Sequence, residues 1–153
     1  MRLYFDSDGV LADFDAGVEA GLGMPPSQAI DAYGQSAFWQ ALERLPNFYG
    51  FLPLMKGAQD LVKAGEPLRP IVLTGCPLGN WSQSQKINWG AQHFPGLPVI
   101  CCATSDKVLF CQDGDILIDD SAKNCAHWVE AGGQAIHFLS AEQAIADLKK
   151  LMP

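Results

Sequence analysis

Five short, mainly apolar runs, RLYF (2–5), PIVLT (70–74), LPVICC (97–102), DILID (115–119) and QAIHFL (134–139), are separated by longer amphipathic segments. Runs this brief and continuous suit strands covered on both faces, and parallel strands need crossovers long enough to hold a helix. The amphipathic segments predict helices over 56–65, 80–93, 122–131 and 141–151. The first is expected to close at Gly65 and the third at Gly132 and Gly133, because glycine enters the left-handed backbone region without a Cβ penalty. The fold class that follows is α/β, an open, doubly wound and mainly parallel sheet.

The alternation is interrupted between the first two strands. There AFWQAL and then NFYGFLPL place Phe38, Trp39, Phe48, Tyr49 and Phe51 close together, which is too apolar for a surface loop. A small helical insertion is expected, packed over the carboxyl edge of the sheet, where open α/β sheets bind ligands. Pro25, Pro26 and Pro46 divide it into short pieces. The expected organisation is a core domain of residues 1–15 and 56–153 carrying a helical cap of residues 16–55. At 153 residues and 48% hydrophobic content, such a unit can bury a substantial core.

The net charge is -7 and the ten Lys and Arg form no run, which argues against an extended nucleic-acid surface. A small anionic substrate is still compatible with that charge if a metal corrects the local field. No apolar stretch approaches the roughly 20 residues of a membrane span, and MRLYFDSD turns acidic where a secretory leader stays apolar. A cytoplasmic location without membrane attachment is the expectation. Cys76, Cys101, Cys102, Cys111 and Cys125 are odd in number and include no C-x-x-C pair, so they read as buried thiols of a reducing compartment rather than a disulfide framework or a zinc site. His93, His127 and His137 lack ligand spacing and read as structural. No feature specifies an oligomeric state.

DSDG places Asp6 and Asp8 one residue apart at the end of the first strand. Two carboxylates so close repel each other, and burying them is costly unless a cation, a proton or hydrogen bonds compensate. Asp119 and Asp120 form a second acidic pair after the fourth run. Brought together by the sheet, the four would offer the hard oxygen ligands that suit magnesium. Thr74 and Gly75 add a hydroxyl and an open backbone able to bind phosphate oxygens, and Lys107 adds a positive charge. Each has a plainer reading: DSDG as a turn, IDDS as a helix cap, Thr74 as a strand residue, Lys107 as a surface lysine. An EF-hand is excluded, since its loop needs glycine sixth and glutamate twelfth, and here glycine is fourth and the twelfth residue is Gly17. Occurrence of the whole set in order, each member after a strand-like run, favours a site.

In that order DSDGV, LTG, a later lysine and ILIDD resemble the four motifs of the haloacid dehalogenase (HAD) superfamily of phosphatases. From residue 3 to residue 122, the stretches DSDGVLADF, FLPLMKGAQDLV, KINWGAQHF and DKVLFCQDGDILIDDS, with the tryptophan-bearing insertion, look like its 5'(3')-deoxyribonucleotidase branch. The resemblance implies a Rossmann-like HAD sheet with a small cap, and a magnesium-dependent phosphomonoesterase acting on a small phosphorylated substrate, a deoxyribonucleoside 5'-monophosphate. It makes Asp6 the nucleophile and Asp8 the general acid and base, and it assigns Mg2+ to Asp6, Asp8 (through its main-chain carbonyl), Asp119 and Asp120, leaving open which of the last two binds directly. Thr74, Gly75 and Lys107 would hold the phosphate, and Phe38 and Trp39 of the cap would meet the nucleoside.

Two departures accompany the resemblance: the cap is short, and Gly75 stands where the branch often has serine, which implies one polar contact fewer near phosphate or sugar. The alternatives are a HAD phosphatase of other or broad specificity, toward sugar phosphates or phosphoproteins, and a non-catalytic phosphate-binding regulatory module. The aromatic cluster reads equally as a base pocket, an interface or core. Trp81 and Trp89 are expected together on one helix, in core or interface, and Lys86 either approaches the phosphate or stays solvated, the second being the expectation taken.

Overall fold

The computed structural model describes residues 1–152. Strands β1 (Leu3–Phe5), β2 (Ile71–Gly75), β3 (Val99–Cys102), β4 (Ile116–Asp119) and β5 (Gln134–His137) form one parallel sheet in the order β3-β2-β1-β4-β5. The chain winds outward from β1 through β2 to β3, then returns to β4 and β5 on the other side. That reversal opens a crevice at the carboxyl ends of β1 and β4, the position where such sheets bind ligands. Phe5 pairs with Ile118, and Asp6 N–H donates to Ile118 O at 2.9 Å, so the residues that follow, Asp6 and Asp119, lie side by side.

Alternation along β1 sends Leu3 and Phe5 into a large apolar cluster with Leu61, Ile116, Ile118 and Leu148. Tyr4 joins a smaller cluster with Leu73, Leu117 and Trp128 on the opposite side. Burial of both faces explains why the strand runs are continuously hydrophobic rather than alternating.

The helices outside the insertion are α4 (Ala58–Gly65), α5 (Gln83–His93), α6 (Ala122–Glu130) and α7 (Ala141–Leu151). Because α5 starts at Gln83, Trp81 lies in the loop before it and does not share a helix with Trp89. Gly132, at φ 96°, turns the chain after α6 as expected. Gly65 does not take the left-handed conformation: the chain continues into a 3-10 turn over Glu66–Leu68, and Arg69 adopts φ 50°. A Cβ at Gly65 would lie 2.5 Å from Leu3 Cδ2, so this glycine serves the close approach of α4 to β1.

Between β1 and α4 stand α1 (Phe14–Leu22), α2 (Pro26–Tyr33), α3 (Gln35–Arg44) and a 3-10 turn over Tyr49–Phe51. The Asp13 carboxylate caps α1 by accepting from Ala16 N–H at 3.0 Å, and Pro26 opens α2, where its missing N–H costs nothing. Val18, Ala29, Phe38 and Leu42 of these helices are buried in the same cluster as Leu3 and Phe5. The segments entering and leaving the insertion are tied by Met55 N–H to Leu11 O and Asp13 N–H to Pro53 O, both 2.8 Å. Helix α5 is tied to it as well: Tyr49 N–H donates to Gln85 Oε1 at 3.0 Å, and Trp89 Nε1–H to Leu52 O at 2.8 Å.

Of the five thiols only Cys125 is buried; the other four are half-buried, because β3 is an edge strand and the remaining two sit in loops. Among the described residues no helix is long and apolar enough to cross a membrane.

Candidate active site

Asp6 follows β1 directly and Asp119 ends β4, which places both carboxylates in the crevice. Between them sits the Lys107 ammonium, 2.8 Å from Asp6 Oδ1 and 2.7 Å from Asp119 Oδ2. Lys107 arrives on a 3-10 segment over Thr104–Phe110, not on a strand. Asp6 Oδ1 also accepts from Ser7 N–H at 2.8 Å, so one oxygen is anchored twice and the other is left for a ligand. Asp119 is saturated: Ser121 N–H donates to Oδ1 at 2.9 Å, and Asn124 Nδ2 reaches Oδ1 and Oδ2 at 3.2 and 3.1 Å. Burial pushes the Asp6 carboxyl up to about 7, Lys107 opposes this, and the charges of Asp119 and Asp8 add to it. For Lys107 burial acts to lower the pKa, but the carboxylates of Asp6 and Asp119 outweigh it and hold the ammonium above its usual range.

A second ion pair stands beside the first. Lys86 Nζ lies 2.5 Å from Asp8 Oδ2, 3.0 Å from Thr74 Oγ1 and 2.9 Å from Gly75 O, and it sits 4.3 Å from the centroid of the buried Tyr49 ring. The other Asp8 oxygen, Oδ1, is buried and has no hydrogen-bond partner. Lys86 is 3% exposed, contrary to the solvated position expected for it. Its spacing held the signal: Lys86 shares one face of α5 with the buried Trp89 and Gly90, and α5 begins at the carboxyl edge of the sheet. Thr74 is fully buried, and its hydroxyl is engaged by Lys86 and Gly75 O rather than facing the cavity.

Asp6, Asp119 and Asp120 present carboxylate oxygens within 4.8 Å of one another. Asp120 is the solvent-exposed member, and burial of its inner part pushes the carboxyl up to about 6, with Asp119 adding to the shift. Gly9, at φ 81°, makes room for it, since a Cβ there would fall 2.1 Å from Asp120 Oδ2. Three hard oxygen donors with too little positive charge around them fit magnesium, and the Asp8 carboxylate, turned toward Lys86, stands outside the set.

Asp6, Asp8, Lys107 and Asp120 line one side of a cavity of about 960 Å³ whose far wall is the insertion. Ser36, Trp39, Gln40 and Glu43 line it from α3, at the i, i+3, i+4, i+7 spacing of one helical face, and Trp81 and Tyr49 close another side with ring centroids 5.3 Å apart. Trp39 therefore reaches the cavity. Phe38 does not: it is 1% exposed and stacks edge-on against Trp39, because the next residue of a helix points about 100° away. Trp81, expected in core or interface, packs partly buried against the core and also lines the cavity. Gly75 also lines the cavity, and a Cβ there would lie 2.3 Å from Thr104 Oγ1.

No family model and no curated protein matches the chain. Solved structures do resemble it. A hydrolase from Streptococcus pneumoniae TIGR4 aligns at 15% identity over 98% of this chain and 96% of its own, with a TM-score of 0.55. A HAD-superfamily hydrolase from Ehrlichia chaffeensis aligns at 13% identity over 99% and 97%, with a TM-score of 0.59. A third structure, of a dehalogenase, aligns at 13% identity over 99% and 96%, with a TM-score of 0.55. At these identities the likeness is one of fold.

Proposed function

We propose that this chain is a magnesium-dependent phosphomonoesterase working through an aspartyl-phosphate intermediate, with a deoxyribonucleoside 5'-monophosphate as substrate. The observation that carries this reading is the pairing of two buried lysines with two strand-end aspartates at the floor of one cavity: Lys107 with Asp6 and Lys86 with Asp8.

The chemistry follows from what each oxygen is doing. Asp6 Oδ1 is fixed by Ser7 N–H and Lys107, which leaves Oδ2 to attack phosphorus. The Asp6–phosphorus bond forms as the bond from phosphorus to the leaving alkoxide breaks, and Asp8 gives that alkoxide its proton. Water then attacks the phosphoryl group, Asp8 takes the water's proton, and Asp6 departs, yielding inorganic phosphate. Oδ1 of Asp8, buried and without a partner, is the oxygen free to move that proton. Lys86 and Lys107 hold positive charge where negative charge accumulates.

Asp120 and the Asp8 main chain would hold a magnesium ion most directly, with Asp6 and Asp119, whose oxygens are committed to attack and to Lys107, supplying negative charge beside it. Bound there, magnesium would offset the charge of the transferred phosphoryl group. Trp39, from the insertion, and Trp81, from the loop before α5, supply faces on which a base can stack. The exposed Gln35, Ser36, Gln40 and Glu43 favour a second reading, a phosphatase of broad specificity, because solvated polar side chains grip no particular leaving group.

The test is phosphate release from deoxyribonucleotides, ribonucleotides, sugar phosphates and a phosphopeptide, with magnesium and with chelator. Magnesium-dependent preference for deoxyribonucleotides, abolished in Asp6→Asn, is the expected result. Release without preference would leave the broad phosphatase, and release by Asp6→Asn at the wild-type rate would remove the nucleophile.

A further inference from the structure

We propose that Thr104 is a phosphate-binding residue, supplying from a neighbouring segment the side-chain hydroxyl that position 75 lacks. The proposal rests on the reading of this cavity as a phosphate site. Gly75 ends β2 among the cavity-lining residues, in register with Cys102 of β3. Its backbone is not in the left-handed region, so conformation does not require a glycine there. Space does: a Cβ at position 75 would meet Thr104 Oγ1 at 2.3 Å, and Thr104 Cα and Cβ at 3.2 Å. The volume that a side chain at 75 would fill is occupied by the Thr104 hydroxyl.

Three relationships turn this exchange of volume into a role. Thr104 lines the same cavity as Asp6, Gly75 and Lys107, with its hydroxyl against Gly75 at the end of β2. It also opens the 3-10 segment that delivers Lys107, and three residues make one turn of such a helix. Thr104 and Lys107 therefore project on the same face, and seating Lys107 between Asp6 and Asp119 fixes Thr104 as well. Finally, the neighbouring hydroxyl of Thr74 is buried and committed to Lys86 and Gly75 O. Thr104 is exposed and has the freer hydroxyl. The ligand chemistry that suits it, with Lys107 on the same segment and the same cavity, is a tetrahedral oxyanion.

The experiment measures kcat/KM on a deoxyribonucleotide and, separately, binding of inorganic phosphate by calorimetry, both with the full chain and magnesium. Thr104→Val keeps the shape and removes the hydroxyl; at an exposed position it leaves the core intact. A hydrogen bond to a charged oxygen predicts a loss of roughly tenfold to a hundredfold in both readouts, with Thr104→Ser recovering most of it. The reciprocal arrangement is sharper. Gly75→Ser alone collides with Thr104 and lowers activity, whereas in a Thr104→Ala background the same substitution returns a hydroxyl to the vacated volume and raises activity. Thr104→Val matching wild type in both readouts, or Gly75→Ser deepening the loss of Thr104→Ala, would overturn the proposal. A wild type that binds phosphate, more weakly in Thr104→Val, yet hydrolyses no monoester would end the phosphatase reading and keep Thr104's role. A wild type that does neither would end both.

Discussion

Lys107 and Asp119 form a fully buried ion pair, 2.7 Å between Nζ and Oδ2, and the same ammonium neutralises Asp6. Side-chain exposures of 4% for the lysine and 0% for Asp119 leave water little part in solvating either charge. One cation shared by two carboxylates, with Asp120 adjoining, leaves the floor of the cavity with an excess of negative charge. On the proposed reading a divalent ion would relieve that excess without displacing Lys107, so the lysine and the metal would be complementary rather than competing.

Replacing Lys107 by Met should therefore cost both stability and turnover. Removing one partner of a buried pair leaves the others uncompensated, a loss of about 3–5 kcal/mol. Urea denaturation of Lys107→Met is the check, and an unchanged midpoint would show that Asp6 and Asp119 find other compensation.

Lys86→Met should act differently, because Asp8 is half-exposed and can be solvated once its partner is gone. Its consequence is catalytic: an Asp8 that loses its positioning loses much of the roughly 10²–10⁴-fold contribution typical of general acid–base catalysis. The loss should be large for alkyl phosphates, whose alkoxide needs a proton to leave, and small for p-nitrophenyl phosphate, whose leaving group does not. Equal losses on the two esters would detach Lys86 from the proton transfer.

The raised carboxyl of Asp6 gives a signed dependence of stability on pH. Its pKa lies at 3.8 unfolded and about 7 folded, so between those values the folded state holds the extra proton. Stability must then fall as pH rises from about 4 to about 7. In chelator, the melting temperature of the wild type should decline over this window more steeply than that of Asp6→Asn. Added magnesium, which binds the ionised form, should raise the melting temperature more at pH 8 than at pH 5. A parallel response at the two values would argue against a metal beside Asp6.

The parts of the fold and site that were legible in the sequence are those in which one local signal suffices. The strands showed themselves because burial on both faces makes them continuously apolar, and Asp6 and Asp119 because they terminate such runs. What stayed hidden depends on geometry between segments. Lys86 reads as a surface residue until the opposite face of α5 is known to be the exposed one. Phe38 and Trp39 are adjacent letters with opposite destinations, set by the rotation of α3 against the rest of the core. The fit of Thr104 over Gly75 joins two strand ends distant in the chain, and no periodicity encodes it. The absence of a hydroxyl at position 75 was visible, but its replacement was not.

The role of the cap is decided by Trp39. It lines the cavity from α3 while resting on Phe38 and Phe14, with ring centroids at 5.1 and 6.1 Å, so one face is supported by the interior and the rest is available. If a base stacks there, Trp39→Ala removes about 1–3 kcal/mol of binding, the range measured for base–aromatic stacking. KM for a deoxyribonucleotide should rise by roughly tenfold or more while kcat changes little, because stacking is made equally in ground and transition states. The same variant assayed on glycerol phosphate, which has no ring to stack, should show a much smaller rise. Equal rises on both substrates would mean that Trp39 shapes the cavity as a wall, and the broad-specificity phosphatase would then be the better proposal.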